Sequence, residues 1–193
     1  IDKEPMCINI SGIKGVGKKT IVRRACDMLG KDLIEVDFNY FSTESKESLS
    51  KLVSIFRLAL ITDSYLCFHN FEAVENSKNS LYKKFIFKKA SNFSQVVFVL
   101  SNSEKYVYMT ELNVPVINFF IDELSDEESF RMWKKELSEF KKDKNLNIRE
   151  ISNKFQFTPL QIKNTCKEAK LECKYNHKDR IDSKTLSRCA HHQ

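Results

Sequence analysis

The residues with the clearest chemical meaning are three closely spaced glycines and the lysine after them. Gly12, Gly15 and Gly17 are three of the chain's four glycines, and Lys18 follows directly. Glycine lets the backbone turn with its N–H groups pointing inward, where an anion can bind. The spacing fits the pattern G-x-x-x-x-G-K, whose lysine reaches the β- and γ-phosphates of a nucleotide. Residues 12–20 are therefore predicted to form a phosphate-binding loop.

The flanking sequence predicts the setting that such a loop requires. Residues 8–10 resemble a short strand, and residues 21–29 have a helical pattern. The N-terminus of a helix adds a partial positive charge beside the bound phosphates. The predicted nucleotide-binding residues are Gly12, Lys14, Gly15, Val16, Gly17, Lys18, Lys19 and Thr20.

The position after Lys18 departs from the pattern. A serine or threonine normally stands there and gives its hydroxyl to Mg²⁺, whereas this chain has Lys19. Thr20 is one residue further on and about 100° round the helix, which makes it a weak candidate for a metal ligand. We therefore predict no dedicated metal ligand, although Mg²⁺ bound together with the nucleotide stays an alternative.

The composition predicts a globular protein of a reducing compartment. The chain has 193 residues, of which 41% are hydrophobic and 30% charged, enough for one sizeable domain with a small appendage. No apolar run approaches the roughly 20 residues of a membrane span. The charged opening residues do not resemble a signal peptide, and the first residue, Ile1, suggests that flanking domains are missing. Six scattered cysteines without a C-x-x-C pair favour reduced core thiols over zinc ligands and predict a cytoplasmic location.

The positive charge is concentrated in the last quarter of the chain. Residues 141–193 contain 13 lysines and arginines against 6 acidic residues. A basic segment can bind nucleic acid, but this one has neither interleaved aromatic residues nor a nucleic-acid motif. A solvated helical face or a docking surface for an acidic partner fits it better.

Alternating apolar runs and helical patterns predict the fold. Further strands are expected at 33–37, 65–68, 96–100 and 114–120, with helices at 49–60 and 81–90 between them. Connections of this length are crossovers between parallel strands. From Ser125 onward the chain looks all-helical, with a capping box of Ser125 and Glu128 and later helices at 146–155, 159–175 and 183–191. We predict an α/β P-loop three-layer sandwich with a five-stranded parallel sheet over residues 1–122, followed by a small all-helical lid subdomain over residues 123–193.

This order of elements resembles the AAA+ ATPases. The resemblance implies binding of ATP or ADP and a pair of acids after the third strand, one for Mg²⁺ and one for the attacking water. His69 and Asn70 occupy those two positions, and Glu72 is the nearest acid. By the same resemblance, Asn102 would contact the γ-phosphate or the water, and Lys163 would contact phosphate from the lid. Residues 106–113 contain no arginine that could act as an arginine finger.

The resemblance is narrower to the degenerate first AAA domain of bacterial tandem-AAA ATPases. It implies a domain that binds nucleotide, hydrolyses it weakly or not at all, and regulates or assembles a larger ATPase. Its partners would be other AAA domains of the same chain or ring and another protein, with no nucleic acid and no membrane. Three alternatives stay open: an active ATPase that uses Glu72, an NB-ARC-type signalling NTPase, and a DNA-acting relative of the clamp loaders.

Overall fold

A computed structural model of the chain describes residues 4–40, 46–75, 81–102 and 115–193. The chain divides into two compact units. The first, which we call the sheet unit, contains Ile1–Ile13 and Lys18–Ile121; the second, the helical unit, contains Lys14–Gly17 and Asp122–Gln193. The domain division at residues 122 and 123 that the sequence suggests stays a prediction.

The sheet unit contains the predicted five-stranded sheet. Every neighbouring pair of strands is parallel, and the spatial order is β2-β3-β4-β1-β5. Because all strands run the same way, the residues that follow them meet at one edge of the sheet, which is where open α/β sheets bind ligands. The strands are β1 (Met6–Ser11), β2 (Leu33–Asp37), β3 (Tyr65–His69), β4 (Val96–Ser101) and β5 (Val116–Phe120).

Helices of the sheet unit pack on both faces of the sheet, which confirms the predicted α/β class. On one face, α1 contributes Val22 and Cys26 to a cluster with strand residues such as Phe98. On the other, α2 and α4 contribute residues such as Leu52 and Phe87 to a larger aromatic-rich cluster. The helices are α1 (Lys18–Leu29), α2 (Lys46–Ile61), α3 (Glu72–Glu75) and α4 (Leu81–Ala90), and a short 3-10 turn spans Phe38–Tyr40.

The helical unit has a core of its own, centred on the fully buried Trp133 and Leu137. Its helices are α5 (Asp126–Glu136), α6 (Ile148–Lys154), α7 (Pro159–Tyr175) and α8 (Ser183–Ala190). The predicted capping box at the start of α5 is present, because Ser125 and Glu128 satisfy each other's backbone N–H groups. Among the described residues, no helix is both long enough and apolar enough to cross a membrane.

All six cysteines are free and buried. Burial raises the pKa of the Cys7 and Cys166 thiols to about 12, so neither is a reactive thiolate at neutral pH. The two cysteines pack in the cores of different units. They behave as small apolar residues, in keeping with the reduced core thiols expected from the sequence.

Candidate phosphate-binding site

The glycine loop has a backbone that other residues rarely adopt. Gly15 has a φ of +93° and Gly17 a φ of +107°, and a side chain at either would be strained. Gly15 is constrained a second time, because an added Cβ would lie 2.7 Å from the Thr158 hydroxyl oxygen within the helical unit. In the same unit the Leu160 N–H donates to the Gly15 carbonyl oxygen at 3.2 Å. The two positions therefore require glycine for backbone reasons.

Lys18 is the first residue of α1, and it is buried. Its Nζ donates to the Gly12 carbonyl at 2.6 Å, to the Ile13 carbonyl at 2.9 Å and to Asn102 Oδ1 at 3.0 Å. Burial lowers the pKa of Lys18, and the negative charge of Glu72 opposes that shift. Three acceptors match the three N–H donors of an ammonium group, so the cation is fixed at the base of the loop.

Asn102 joins Lys18 to Glu72 at the end of β4. Its backbone N–H donates to Glu72 Oε2 at 3.2 Å, and its side-chain Nδ2 donates to Glu72 Oε1. Both carboxylate oxygens of Glu72 thus accept hydrogen bonds from one residue. The structure therefore brings three of the predicted site residues into one chain of contacts, from Lys18 through Asn102 to Glu72.

Asn70, which stands where the second acid of the AAA+ pattern is expected, is bonded to a neighbouring strand. Its Nδ2 donates to Asp37 Oδ1 at 2.6 Å, across the edge between β3 and β2. Its φ is +53°, a left-handed conformation that asparagine tolerates better than most residues. The Asn102 Nδ2 also lies 3.5 Å from Asn70 Oδ1. Asn70 therefore serves as a hydrogen-bonding bridge at this edge of the sheet.

His69 is buried and contacts Glu35 of β2, with 2.6 Å between His69 Nε2 and Glu35 Oε2. Burial lowers the pKa of His69, and the nearby Lys19 charge adds to that effect. Burial raises the pKa of Glu35, but hydrogen bonds from Arg23 and His69 outweigh it and leave the pKa below its usual value. A carboxylate can only accept, so the His69 ring donates to Glu35 through Nε2.

Asp37 is a site residue that the sequence did not single out. It ends β2, and its Oδ1 also accepts from the backbone N–H of Asn39 at 3.0 Å. Lys19 Nζ lies 4.0 Å from Asp37 Oδ2. Burial raises the pKa of Asp37, but the bonds from Asn70 and Asn39 and the Lys19 charge outweigh it and lower the pKa. The available signal was its position, since the last residue of a parallel strand lies at the ligand-binding edge.

The oxygen atoms at this edge of the sheet do not fit a dedicated Mg²⁺ site. Magnesium is held through carboxylate, hydroxyl and water oxygens, yet Asp37 is engaged by Asn70 and Lys19, and Glu72 by Asn102. Thr20 is exposed on α1. No group of three or more metal-binding side chains occurs in the part of the chain that the structure describes.

The other predicted residues differ in exposure. Lys14 is exposed, whereas Val16 is buried. Lys163 is exposed on α7 of the helical unit, and its contact with phosphate stays a prediction. The segment 106–113, in which the AAA+ pattern would have an arginine finger, lies outside the described residues.

Comparison with known proteins supports a relationship to the AAA+ ATPases. No protein-family model matches the chain. A curated relative, the peroxisomal ATPase PEX6 of Dictyostelium discoideum, is 28% identical over 170 residues. The match covers 81% of this chain and 13% of that protein, so the chain spans only a small part of its relative's length.

Proposed function

We propose that this chain is a AAA+ nucleotide-binding domain that binds ATP or ADP and hydrolyses it weakly or not at all. The observation that carries the proposal is Lys18, whose ammonium is held by two loop carbonyls and by Asn102. This arrangement places a fixed cation beside a glycine loop at the carboxyl edge of a parallel sheet. The fixed cation and the glycine loop both favour a bound polyphosphate.

Binding would be divided between the backbone and a few side chains. The N–H groups from Gly12 to Thr20 would surround the phosphates, including those of Lys14, Val16 and Lys19. Lys18 would exchange its hydrogen bonds to the loop carbonyls for contacts with the β- and γ-phosphates. Asn102 accepts a hydrogen bond from Lys18 through Oδ1 and would keep the lysine oriented. By the resemblance to the AAA+ ATPases, it would also contact the γ-phosphate. Lys163 would add a phosphate contact from the proposed lid, residues 123–193.

Weak hydrolysis follows from the groups that replace the usual acids. Neutral His69 brings no negative charge to a metal, and Asn70 cannot accept a proton from water. Glu72 is the remaining acid, and both of its oxygens accept hydrogen bonds from Asn102. With Lys19 at the hydroxyl position, nucleotide affinity would depend only weakly on Mg²⁺.

The wider role that we propose is regulation or assembly of a larger ATPase. The domain would act in the cytoplasm with other AAA domains of the same chain or ring and with a further protein partner, and without nucleic acid or membrane. Six free, buried cysteines suit a reducing compartment.

Isothermal titration calorimetry with ATP and with ADP, each with and without Mg²⁺, tests the proposal. Lys18→Ala should weaken binding roughly ten- to a hundredfold, since it removes a charged hydrogen-bond donor. Lys88→Ala, at an exposed lysine of α4, should bind like the original chain. Absence of any binding below millimolar nucleotide would overturn the proposal.

A second candidate function is an active ATPase that uses Glu72 as its base. The observation that favours this candidate is that Asn102 accepts from Lys18 and donates to both oxygens of Glu72, so the acid lies one side chain away from the lysine. Phosphate release that disappears in Lys18→Ala would support this candidate. No turnover, even after assembly with partner domains, would reject it.

A further inference from the structure

We propose that the outer face of α7 is a docking surface for an acidic amphipathic helix of a partner protein. The outer face consists of Asn164, Lys167, Leu171, Lys174 and Tyr175, all of them exposed. At about 100° per residue they form one stripe along the helix. The opposite side is buried in the core of the helical unit through Ile162, Thr165, Cys166, Ala169 and Cys173.

The first observation is the exposure of two large apolar side chains on this stripe. Leu171 is 66% exposed and Tyr175 is 85% exposed. The stripe repeats at intervals of three and four residues, the spacing at which one helix packs against another. A partner helix would cover both side chains at once.

The second observation is the separation of charge around α7. Its two acids lie on the side that faces α8 and the chain end: Glu172 pairs with Arg188, and Glu168 lies 2.5 Å from His192 Nδ1. Among the described residues, neither Lys167 nor Lys174 forms an ion pair. The acids of α7 are therefore compensated, whereas its outer lysines remain available for an acidic partner.

Lys170 of α7 lies beside the outer face and contacts an aromatic ring. Lys170 lies over the Phe140 ring, with its Nζ 4.8 Å from the ring centroid. Burial raises the pKa of Cys166 on the opposite, buried side of α7, and the charge of Glu136 adds to that shift. The outer face is therefore basic with an apolar strip along it.

Such a face suits a protein helix better than nucleic acid. It contains no arginine, and Tyr175 is its single aromatic residue, so it offers little base stacking or bidentate phosphate binding. Leu171 would gain nothing from a phosphate backbone, whereas it would pack against apolar residues of an amphipathic helix. Glutamates beside those apolar residues would meet Lys167 and Lys174.

NMR titration of the ¹⁵N-labelled chain tests the proposal with two synthetic helical peptides. One carries leucines on a single face and glutamates elsewhere, and its counterpart has a lysine for every glutamate. The acidic peptide should shift amide signals around Lys167, Leu171 and Tyr175, and added salt should weaken its binding. The lysine peptide should leave those signals unchanged.

Two double variants test whether the acidic peptide binds at the outer face of α7 and not through net charge alone. Lys167→Glu with Lys174→Glu should lower the affinity for the acidic peptide about tenfold or more. Lys84→Glu with Lys88→Glu, at exposed positions of α4, makes the same change in net charge and should have little effect. Circular dichroism checks that each variant is folded.

Three outcomes would overturn the proposal. The acidic peptide could shift signals away from α7, or the two variant pairs could weaken its binding equally, which would mean attraction to net charge alone. Alternatively, a DNA duplex could shift the signals of the outer face while the acidic peptide does not. None of these outcomes depends on whether the chain binds a nucleotide.

Discussion

At the scale of single residues, Asn102 connects the charges of the candidate site. Its side-chain oxygen accepts from Lys18, while its two N–H groups donate to the two oxygens of Glu72. Because Asn102 is held by hydrogen bonds at both its oxygen and its nitrogen atoms, it would need little further ordering if a phosphate bound. Glu72 would then act as a positioning residue for Lys18 through Asn102.

Glu72→Gln distinguishes two possible roles of Glu72, the positioning of Lys18 and catalysis as a base. Glutamine offers one carbonyl oxygen, and its NH₂ group would face a donor of Asn102, so one hydrogen bond is lost. We expect nucleotide affinity to fall by about 1–2 kcal/mol, roughly five- to thirtyfold, in calorimetric titration. Glu123→Gln, at an exposed position, is the control. Unchanged affinity together with loss of a measurable phosphate release would instead identify Glu72 as a catalytic base.

Lys19→Thr tests whether the missing hydroxyl is the reason that nucleotide affinity would depend only weakly on Mg²⁺. The substitution restores a hydroxyl after Lys18 and removes the cation that lies 4.0 Å from Asp37. We expect ATP affinity to become clearly stronger in Mg²⁺ than in EDTA, measured by calorimetry. Lys19→Ala removes the same cation without adding a hydroxyl and should not gain this difference. Equal magnesium dependence in both variants would show that the hydroxyl is not the missing ligand.

At the scale of the elements, the helical unit depends on side chains that cap its helices. Asp182 caps α8: its Oδ1 accepts from the Thr185 N–H at 2.7 Å, and its Oδ2 pairs with Lys178 Nζ at 3.0 Å. These two partners lower the pKa of Asp182 to about 2, with the backbone hydrogen bond as the larger cause. The ionised carboxylate therefore stabilises the folded helical unit.

The cap predicts a loss of stability in acid. Because the folded pKa lies below the ordinary value of 3.8, the contribution is complete above about pH 4 and is lost as the pH falls toward 2. Asp182→Ala should lower the free energy of unfolding at neutral pH by about 1–2 kcal/mol in urea titration. Asp182→Asn keeps an oxygen to cap the helix, so it should cost less and remove this acid dependence. Equal stability of all three proteins at pH 7 would contradict the assigned role.

The elements differ in how well the sequence predicts them. β4 and α7 were placed to within a residue, because an apolar run and a Thr-Pro cap mark them locally. α1 begins at Lys18, three residues before the apolar pattern suggests, since the loop glycines set its start. The four-residue α3 has too few residues for a periodic pattern.

Part of the candidate site could likewise be predicted from the sequence, and part of it could not. The glycine spacing and Lys18 are contiguous in sequence, so the motif could be found without the fold. The contact from Asn70 to Asp37 joins residues 33 positions apart, and only strand order brings them together. The sequence showed which acids are absent, but it could not show that the remaining ones are already engaged.

At the scale of the whole molecule, the six cysteines can be used to follow the unfolding of each unit separately. Cys7, Cys26 and Cys67 are buried in the sheet unit, while Cys166, Cys173 and Cys189 are buried in the helical unit. A buried thiol reacts with an alkylating reagent only after its surroundings open. Labelling at increasing denaturant, followed by mass spectrometry of each cysteine peptide, would therefore give an unfolding curve for each unit.

Leu137→Ala uses these probes to test the proposed boundary at residues 122 and 123. Leu137 is fully buried in the core of the helical unit, and its truncation should destabilise that unit by about 2–5 kcal/mol. The three helical-unit cysteines should then react at a lower denaturant concentration, while Cys7, Cys26 and Cys67 keep their original midpoint. The matched change Leu52→Ala, in the core of the sheet unit, should give the opposite pattern. If either substitution shifts all six cysteines together, the chain unfolds as one cooperative domain and the proposed boundary is wrong.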